Sequence, residues 1–505
     1  MIENTGNLGE VFSKHSKSNA TAIIDLFAKE SPREISYTSL SRGCDAIARG
    51  LASRGLGPGD RVGILALNRV EFLQVLFGAM RVGCIPVMIN LKLPAEQVRY
   101  IVSDADAKIV FGDETLHELC EEKTSYISFD NKSYIDFLDH GSFQVFKPGR
   151  KDVAEQPYTS GSTGRPKGVL LHHWGQRWMI DQLVKTRGLT SDDCGIISAP
   201  LYHKNALLAI KSALQVGGKI VLQPKFDVSQ YIEAIEKYRV TMLTGVPTMY
   251  ALMLQQEQLL DKTDLSSVRN MSMGSAPASE ALLDNLQARF PDAKINLNYG
   301  ITEGGPILFS WSHPDGFERP RTTVGYPIDG VEIRLEDGPN QNEGILHVKS
   351  PGVMLGYHNL PETTARDLEN GWLNTGDILR RDASGWYYFV GRADDMFVTG
   401  GENIYPCDVE TMLERHPSIM QAVVVPAPNT LKAHVPHAFI VLRADADLSE
   451  EQVKEHALNN APAYAHPRRV FFMKQIPLAG TNKIDRKKLY ELAKDAAIAD
   501  GTAYS

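Results

Sequence analysis

Tyr158-Thr159-Ser160-Gly161-Ser162-Thr163-Gly164-Arg165-Pro166-Lys167-Gly168-Val169 gathers three glycines, four small hydroxyl residues and two cations into one short stretch. Glycines and small side chains let backbone N–H groups approach phosphate oxygens, the hydroxyls add donors, and Arg165 and Lys167 add positive charge. The spacing is not that of a Walker loop, which needs Gly, four residues and then Gly-Lys-Ser/Thr. Counting from Gly161, Pro166 stands where the second glycine belongs and Gly168 follows the lysine. Nor is it a nucleophile elbow, because neither Ser160 nor Ser162 has a glycine two residues away on both sides. Taken alone, such a run reads equally well as a surface loop.

Around it, short apolar runs alternate with amphipathic stretches. Arg61-Val62-Gly63-Ile64-Leu65-Ala66-Leu67 reads as a strand, residues 71–81 as a helix and 84–89 as the next strand. The unit recurs as 99–104 with 108–111, 205–215 with 219–222, and 228–238 with 241–243. Gly83 and the pair Gly217-Gly218 stand where a helix C-cap calls for a left-handed residue. Repeated strand-helix-strand units predict a mostly parallel sheet with right-handed crossovers, and ligands beyond the carboxyl ends of its strands. From Val331 the pattern shifts to short alternating segments, 332–335, 345–349 and 386–390, parted by Gly, Asn and Asp, which predict antiparallel sheet. After Arg392, helix-like 409–415 and 450–458 with strand-like 422–425 and 438–442 predict a compact α+β unit. The expected fold class is α/β: a large N-terminal domain of parallel α/β sheets with a small antiparallel β subdomain, then an α+β C-terminal domain.

With 505 residues, the chain has length for about three structural units at roughly 150 residues each. Its 53 Lys and Arg against 61 Asp and Glu give a net charge of −8, which excludes a general nucleic-acid or anionic-membrane binder. A polyanion would have to be gripped locally. A hydrophobic content of 43% with 23% charged residues excludes a disordered chain. The cysteines Cys44, Cys84, Cys120, Cys194 and Cys407 are odd in number and form no Cys-x-x-Cys, so they argue against a disulfide framework or zinc knuckle and fit a reducing cytosol. The N-terminus lacks a basic region followed by an apolar stretch, and no segment approaches the roughly 18 apolar residues of a membrane span. A soluble, cytoplasmic protein is expected.

The twelve-residue stretch closely resembles the signature loop of the adenylate-forming superfamily, which comprises acyl-CoA synthetases, adenylation domains and beetle luciferases. Further motifs follow in that superfamily's order. Asn298-Tyr299-Gly300-Ile301-Thr302-Glu303 resembles its adenine and magnesium motif, and Gly371-Trp372-Leu373-Asn374-Thr375-Gly376-Asp377 its ribose motif. Gly391-Arg392-Ala393-Asp394-Asp395 with Gly400-Gly401-Glu402 resembles its hinge, and Asn482-Lys483-Ile484-Asp485-Arg486 its C-terminal lysine motif, with asparagine where many relatives have glycine.

The resemblance implies an AMP-forming carboxylate–CoA ligase that uses ATP, CoA and Mg²⁺ and works through an acyl-adenylate. It implies that Thr159, Ser160, Gly161, Ser162, Thr163, Gly164 and Lys167 hold the phosphates, that Thr302 lies near the α-phosphate, and that Glu303 holds the metal. Gly274, Ser275, Ala276 and Pro277, following Met273, with Asn298, Tyr299 and Gly300, would form the adenine slot; Asp377 and Arg392 would bind ribose. Lys483 would bridge the α-phosphate and the attacking carboxylate in the first step. For the CoA step, the C-terminal domain, residues 394–505, would rotate about Asp394 relative to residues 1–393, bringing Gly400 and Gly401 to pantetheine and Arg468 to a CoA phosphate. Ala199-Pro200-Leu201-Tyr202-His203 resembles the entrance to the acyl pocket, with His203 near the carboxylate. Its walls by resemblance are Trp178, Lys204, Asn205, Val246, Thr248, Ser275, Gly304, Gly305 and Pro306. Lys204 and Asn205 add polar groups, which favours a short or oxygenated acid over a long alkyl chain; aryl, cinnamate-type and short-to-medium acyl acids stay open. A stand-alone adenylation enzyme serving a carrier protein in trans and a non-catalytic nucleotide binder are the competing readings. The expected partner is a small-molecule acid, with assembly as a homodimer left open.

Overall fold

The computed structural model describes residues 6–28, 31–159, 165–274, 278, 280–443, 446–478 and 484–503. Two parallel sheets form the frame of the N-terminal region. One has the strand order Ile85–Met88, Arg61–Leu65, Ala107–Gly112, Tyr126–Ser128, all parallel. The other has seven strands in the order Lys294–Leu297, Asn270–Met273, Met242–Gly245, Cys194–Ile197, Lys219–Leu222, Thr21–Asp25 and Arg33–Ser36. Only its last strand is antiparallel. The strand-helix units of the sequence are all present, but they divide between the two sheets. Thr21–Asp25 crosses the chain to join the larger sheet beside Lys219–Leu222, a pairing that no local pattern announces.

The helices end as their sequences require. Val70–Val82 stops at Gly83 with φ +90°, and Lys204–Val216 at Gly217 with φ +84°. Of the pair Gly217-Gly218 only the first is left-handed. Without a glycine at its end, Val228–Tyr238 places Arg239 itself at φ +52°.

A smaller sheet carries the glycine-rich stretch. Tyr158–Thr159 pairs antiparallel with Lys167–His172, Thr159 opposite Lys167, and Gly356–Tyr357 adds to the far edge of the same strand. Antiparallel structure follows from Glu332–Asn340, Glu343–Lys349, Trp372–Arg381 and Tyr387–Arg392. The last region has Phe397–Thr399, Glu402–Ile404, Ile419–Asn429 and Ala433–Leu442 as antiparallel neighbours, with Arg469–Phe472 parallel to Ala433–Leu442. Helices Pro406–Glu414, Glu450–Asn460 and Arg486–Ala499 complete it. Its two apolar clusters, around Leu413 and Ile440 and around Phe439 and Leu489, draw buried residues only from position 397 onward. Truncating one such fully buried leucine to alanine costs about 2–5 kcal/mol. Among the described residues no helix is long and apolar enough to cross a membrane.

Candidate active site

The carboxyl ends of Cys194–Ile197, Met242–Gly245, Asn270–Met273 and Lys294–Leu297 open into a cavity of about 1770 Å³. Its opposite wall is the antiparallel region, through Leu373, Thr375, Asp377, Phe389 and Arg392. The region after position 397 closes it with Asp408, Met412, Pro462 and Lys487.

One end gathers the described parts of the glycine-rich stretch. Thr159 Oγ1 donates to Glu303 Oε1 at 2.9 Å, and the Tyr357 hydroxyl reaches the same oxygen at 3.4 Å. Lys167 Nζ lies 4.3 Å from the centre of the Tyr357 ring and 4.0 Å from Asp367 Oδ2. Thr302 and Gly300 line the cavity beside them. Gly300 admits no side chain, because a Cβ would stand 2.4 Å from the Pro306 carbonyl carbon. Burial, reinforced by the neighbouring Glu303 charge, pushes the Tyr357 hydroxyl pKa upward, so it stays a neutral donor. Tyr357 and Asp367 are site residues that the motif reading misses. They arrive from a remote segment, and only the pairing of Gly356–Tyr357 with Lys167–His172 brings them here. Ser160, Gly161, Ser162, Thr163 and Gly164 lie outside the described residues.

Next to this end, Asp377 and Arg392 face each other across adjacent antiparallel strands. Arg392 Nη1 donates to Asp377 Oδ1 at 2.6 Å and the Tyr299 hydroxyl to Oδ2 at 2.5 Å. Burial opposes the Arg392 charge, but Asp377, Asp394 and Asp395 outweigh it and raise the pKa. Asp394 Oδ2 is 3.6 Å from Arg392 Nη2, so the expected hinge residue touches the expected ribose residue. Tyr299 packs its ring against Phe309 and Phe389, with centroids 5.8 and 6.2 Å away. Gly274 and Asn298 line the same wall. Ser275, Ala276 and Pro277 lie outside the described residues.

The acyl side departs from expectation more often. His203, Asn205, Val246 and Pro306 line the cavity; Trp178, Thr248, Gly304 and Gly305 do not. Trp178 lies against Gly330, Gly304 is enclosed by Ile301, Val348 and Leu373, and Gly305 by Met179. Lys204 does line it, but its amine is buried against Glu155, whose other oxygen takes Lys211 Nζ at 2.6 Å. All three are almost wholly buried, and burial drives both lysine pKa values down, that of Lys211 to about 7. The Lys204 amine is thus engaged inside the wall, which removes its share of the argument for an oxygenated acid.

Gly400 and Gly401 form an exposed turn with φ +59° and +95°, away from the cavity lining. The Gly400 N–H donates to the Lys432 carbonyl at 3.2 Å. Arg468, also outside the lining, approaches His466 Nε2 at 3.0 Å. Burial lowers the His466 pKa, and the charges of Arg468, Lys454 and Lys432 add to the effect, so a basic patch adjoins the Gly400 turn. Lys432 is a further residue the motifs do not announce. Lys483 lies outside the described residues. The segments flanking it meet through a Leu478–Ile484 bridge, and Asp485 caps the helix that brings Lys487 to the cavity.

Family models match the chain as AMP-binding enzyme over residues 12–358 and as AMP-binding enzyme C-terminal domain over 408–483. It is 32% identical over 485 residues to 4-coumarate–CoA ligase 2 of Nicotiana tabacum, covering 90% of this chain and 88% of that one. It is 30% identical over 462 residues to feruloyl-CoA synthase of an Amycolatopsis species, with 89% and 92% covered. The structure of the anthranilate CoA ligase AuaEII with anthranoyl-AMP superposes with a TM-score of 0.87 at 26% identity, over 97% of this chain and 98% of that one. The chain belongs to the AMP-binding enzymes of the adenylate-forming superfamily. Within it the chain is an AMP-forming acid–thiol ligase, of a family whose substrates include ATP and CoA.

Proposed function

We propose that this enzyme joins an aryl or cinnamate-type carboxylic acid to CoA, with release of AMP and pyrophosphate. The observation that carries the reading is the meeting, in one cavity, of the Thr159–Glu303 pair with Lys167 and of the Asp377–Arg392 pair. The first set suits a triphosphate and the second a ribose. The aromatic class rests on the relatives, whose names specify coumarate, ferulate and anthranilate.

A carboxylate is a poor electrophile, and joining it to AMP supplies a leaving group. In this reading Lys167 and the hydroxyls of the glycine-rich stretch hold the β- and γ-phosphates, and Thr302 lies near the α-phosphate. Lys483 reduces the repulsion between the α-phosphate and the attacking carboxylate. His203 sits beside that carboxylate. Glu303 fits Mg²⁺: it is a hard oxygen donor beside the triphosphate, held in place by the Thr159 hydrogen bond. Among the described residues there is no cluster of three or more His, Cys, Asp or Glu for a metal, so phosphate oxygens and water would complete the shell. When bound, the ion offsets phosphate charge.

The second half-reaction needs a new approach to the acyl carbon. Residues 394–505 would turn about Asp394 and carry Gly400, Gly401 and Arg468 toward CoA. The test is pyrophosphate release over a panel of carboxylic acids, with CoA present and absent. Release that depends on an aromatic acid, with thioester formed only when CoA is added, is expected. Release without any acid, or adenylate formed from aromatic acids that CoA never discharges, would contradict it.

A further inference from the structure

Helix His173–Arg187 presents Leu183 and, one turn later, Arg187 to the cavity. The Arg187 guanidinium lies 3.2 Å from the centre of the Trp311 ring, and one of its nitrogens donates to Asn298 Oδ1. The Trp311 indole N–H donates to that same oxygen at 3.0 Å. The guanidinium is therefore fixed on one face by the indole and along one edge by the amide. Its remaining terminal nitrogen, Nη1, is buried and has no hydrogen-bond partner among the described residues. The charge facing it is that of another arginine, Arg319, whose Nη2 is taken up by the carbonyls of Leu297 and Thr323 at 3.2 and 2.6 Å.

A buried guanidinium beside a second arginine, with no carboxylate partner among the described residues and an unused donor, costs free energy unless an anion joins it. Its surroundings lie apart from the phosphate and ribose groups, at Asn298 and Gly274 of the expected adenine slot, whose base brings no anion. None of its contacts is Thr159, Lys167, Glu303, Asp377 or Arg392. Its partner Asn298 instead approaches Gly274 and, across the space where a Cβ is missing there, Asn205, two residues after His203.

We infer that Arg187 receives an anionic oxygen at the end of the acid remote from the reacting carboxylate. The substrate is then an aromatic acid with a second acidic group, a carboxylate or an ionisable phenol. This rests on the reading of the cavity as the acyl site and narrows its substrate class. Asn298 and Trp311 are positioning residues that aim the guanidinium.

The experiment compares kcat/KM for cinnamic acid, 4-hydroxycinnamic acid and 4-carboxycinnamic acid in the wild-type enzyme, Arg187→Gln and Arg187→Lys, with KM for ATP measured alongside. One charge-assisted hydrogen bond is worth about 10- to 100-fold. The wild type should prefer one or both substituted acids by that factor, Arg187→Gln should lose the preference, and Arg187→Lys should recover part of it. The fall for the preferred acid should exceed the fall for cinnamic acid by about tenfold or more, with KM for ATP little changed. Equal falls for all three acids, or a rise in KM for ATP whatever the acid, would overturn the inference and leave the ligase reading intact. Pyrophosphate release with none of the three acids would overturn both.

Discussion

At the end of the cavity proposed to hold phosphate, Thr159, Lys167 and Glu303 come from two short motifs, and the fold brings Thr159 to Glu303 and both Glu303 and Lys167 to Tyr357. At the acyl end, the wall is built from single residues of many elements. Lys204, which looks like a substrate contact in sequence, is instead tied to Glu155 beneath the surface. Phosphate binding depends on backbone approach and local charge, which a contiguous stretch can encode. Acyl specificity depends on which face of each helix meets the cavity, and adjacent residues on a helix point in different directions.

The contrast can be broken most sharply at Glu155. One carboxylate there faces two buried lysine amines, so below pH 7, where Lys211 is protonated, Glu155→Gln leaves its ammonium without a counter-charge and should cost roughly 3–5 kcal/mol of stability. Urea denaturation measures this. A loss below about 1 kcal/mol would mean that Lys211 is not buried as a cation against Glu155, and Lys204 would again be a candidate for the substrate. At the nucleotide end, Asp377→Asn keeps the shape but removes the charge that Arg392 and Tyr299 address. KM for ATP should rise about 10- to 100-fold while the fold stays intact. An unchanged KM would separate this pair from the nucleotide. The smallest effect is a difference between two positions: His203→Ala should alter the ranking of acids by kcat/KM about tenfold, whereas Trp178→Phe should alter it less than twofold, because only His203 lines the cavity. A reversed pattern would mean that the acid occupies another part of the molecule.

Much of the frame is legible in the sequence because period and punctuation encode it. Apolar runs and left-handed glycines mark Arg61–Leu65, Val70–Val82 and Gly83 without help from the rest of the chain. The partition into two parallel sheets is not legible, since Thr21–Asp25 owes its place to a partner nearly two hundred residues away. Strands as short as Gly356–Tyr357 have no pattern of their own, so Tyr357 beside Lys167 is invisible until the pairing is known. Arg187 is hidden for a related reason. In sequence it is a basic residue in the last turn of a helix, where a cation is expected on dipole grounds alone. Only Trp311 and Asn298, both distant in the chain, give its side chain an address.

In the proposed function one cavity serves two half-reactions in two arrangements of the C-terminal region, with Lys483 needed only for the first. Adenylation and thioester formation from supplied acyl-adenylate can be timed separately in Lys483→Ala and in Asp394→Pro. Lys483→Ala should lose adenylation by about 100-fold or more and retain thioester formation within a few-fold; Asp394→Pro should do the reverse. Equal loss of both half-reactions in either variant would contradict it.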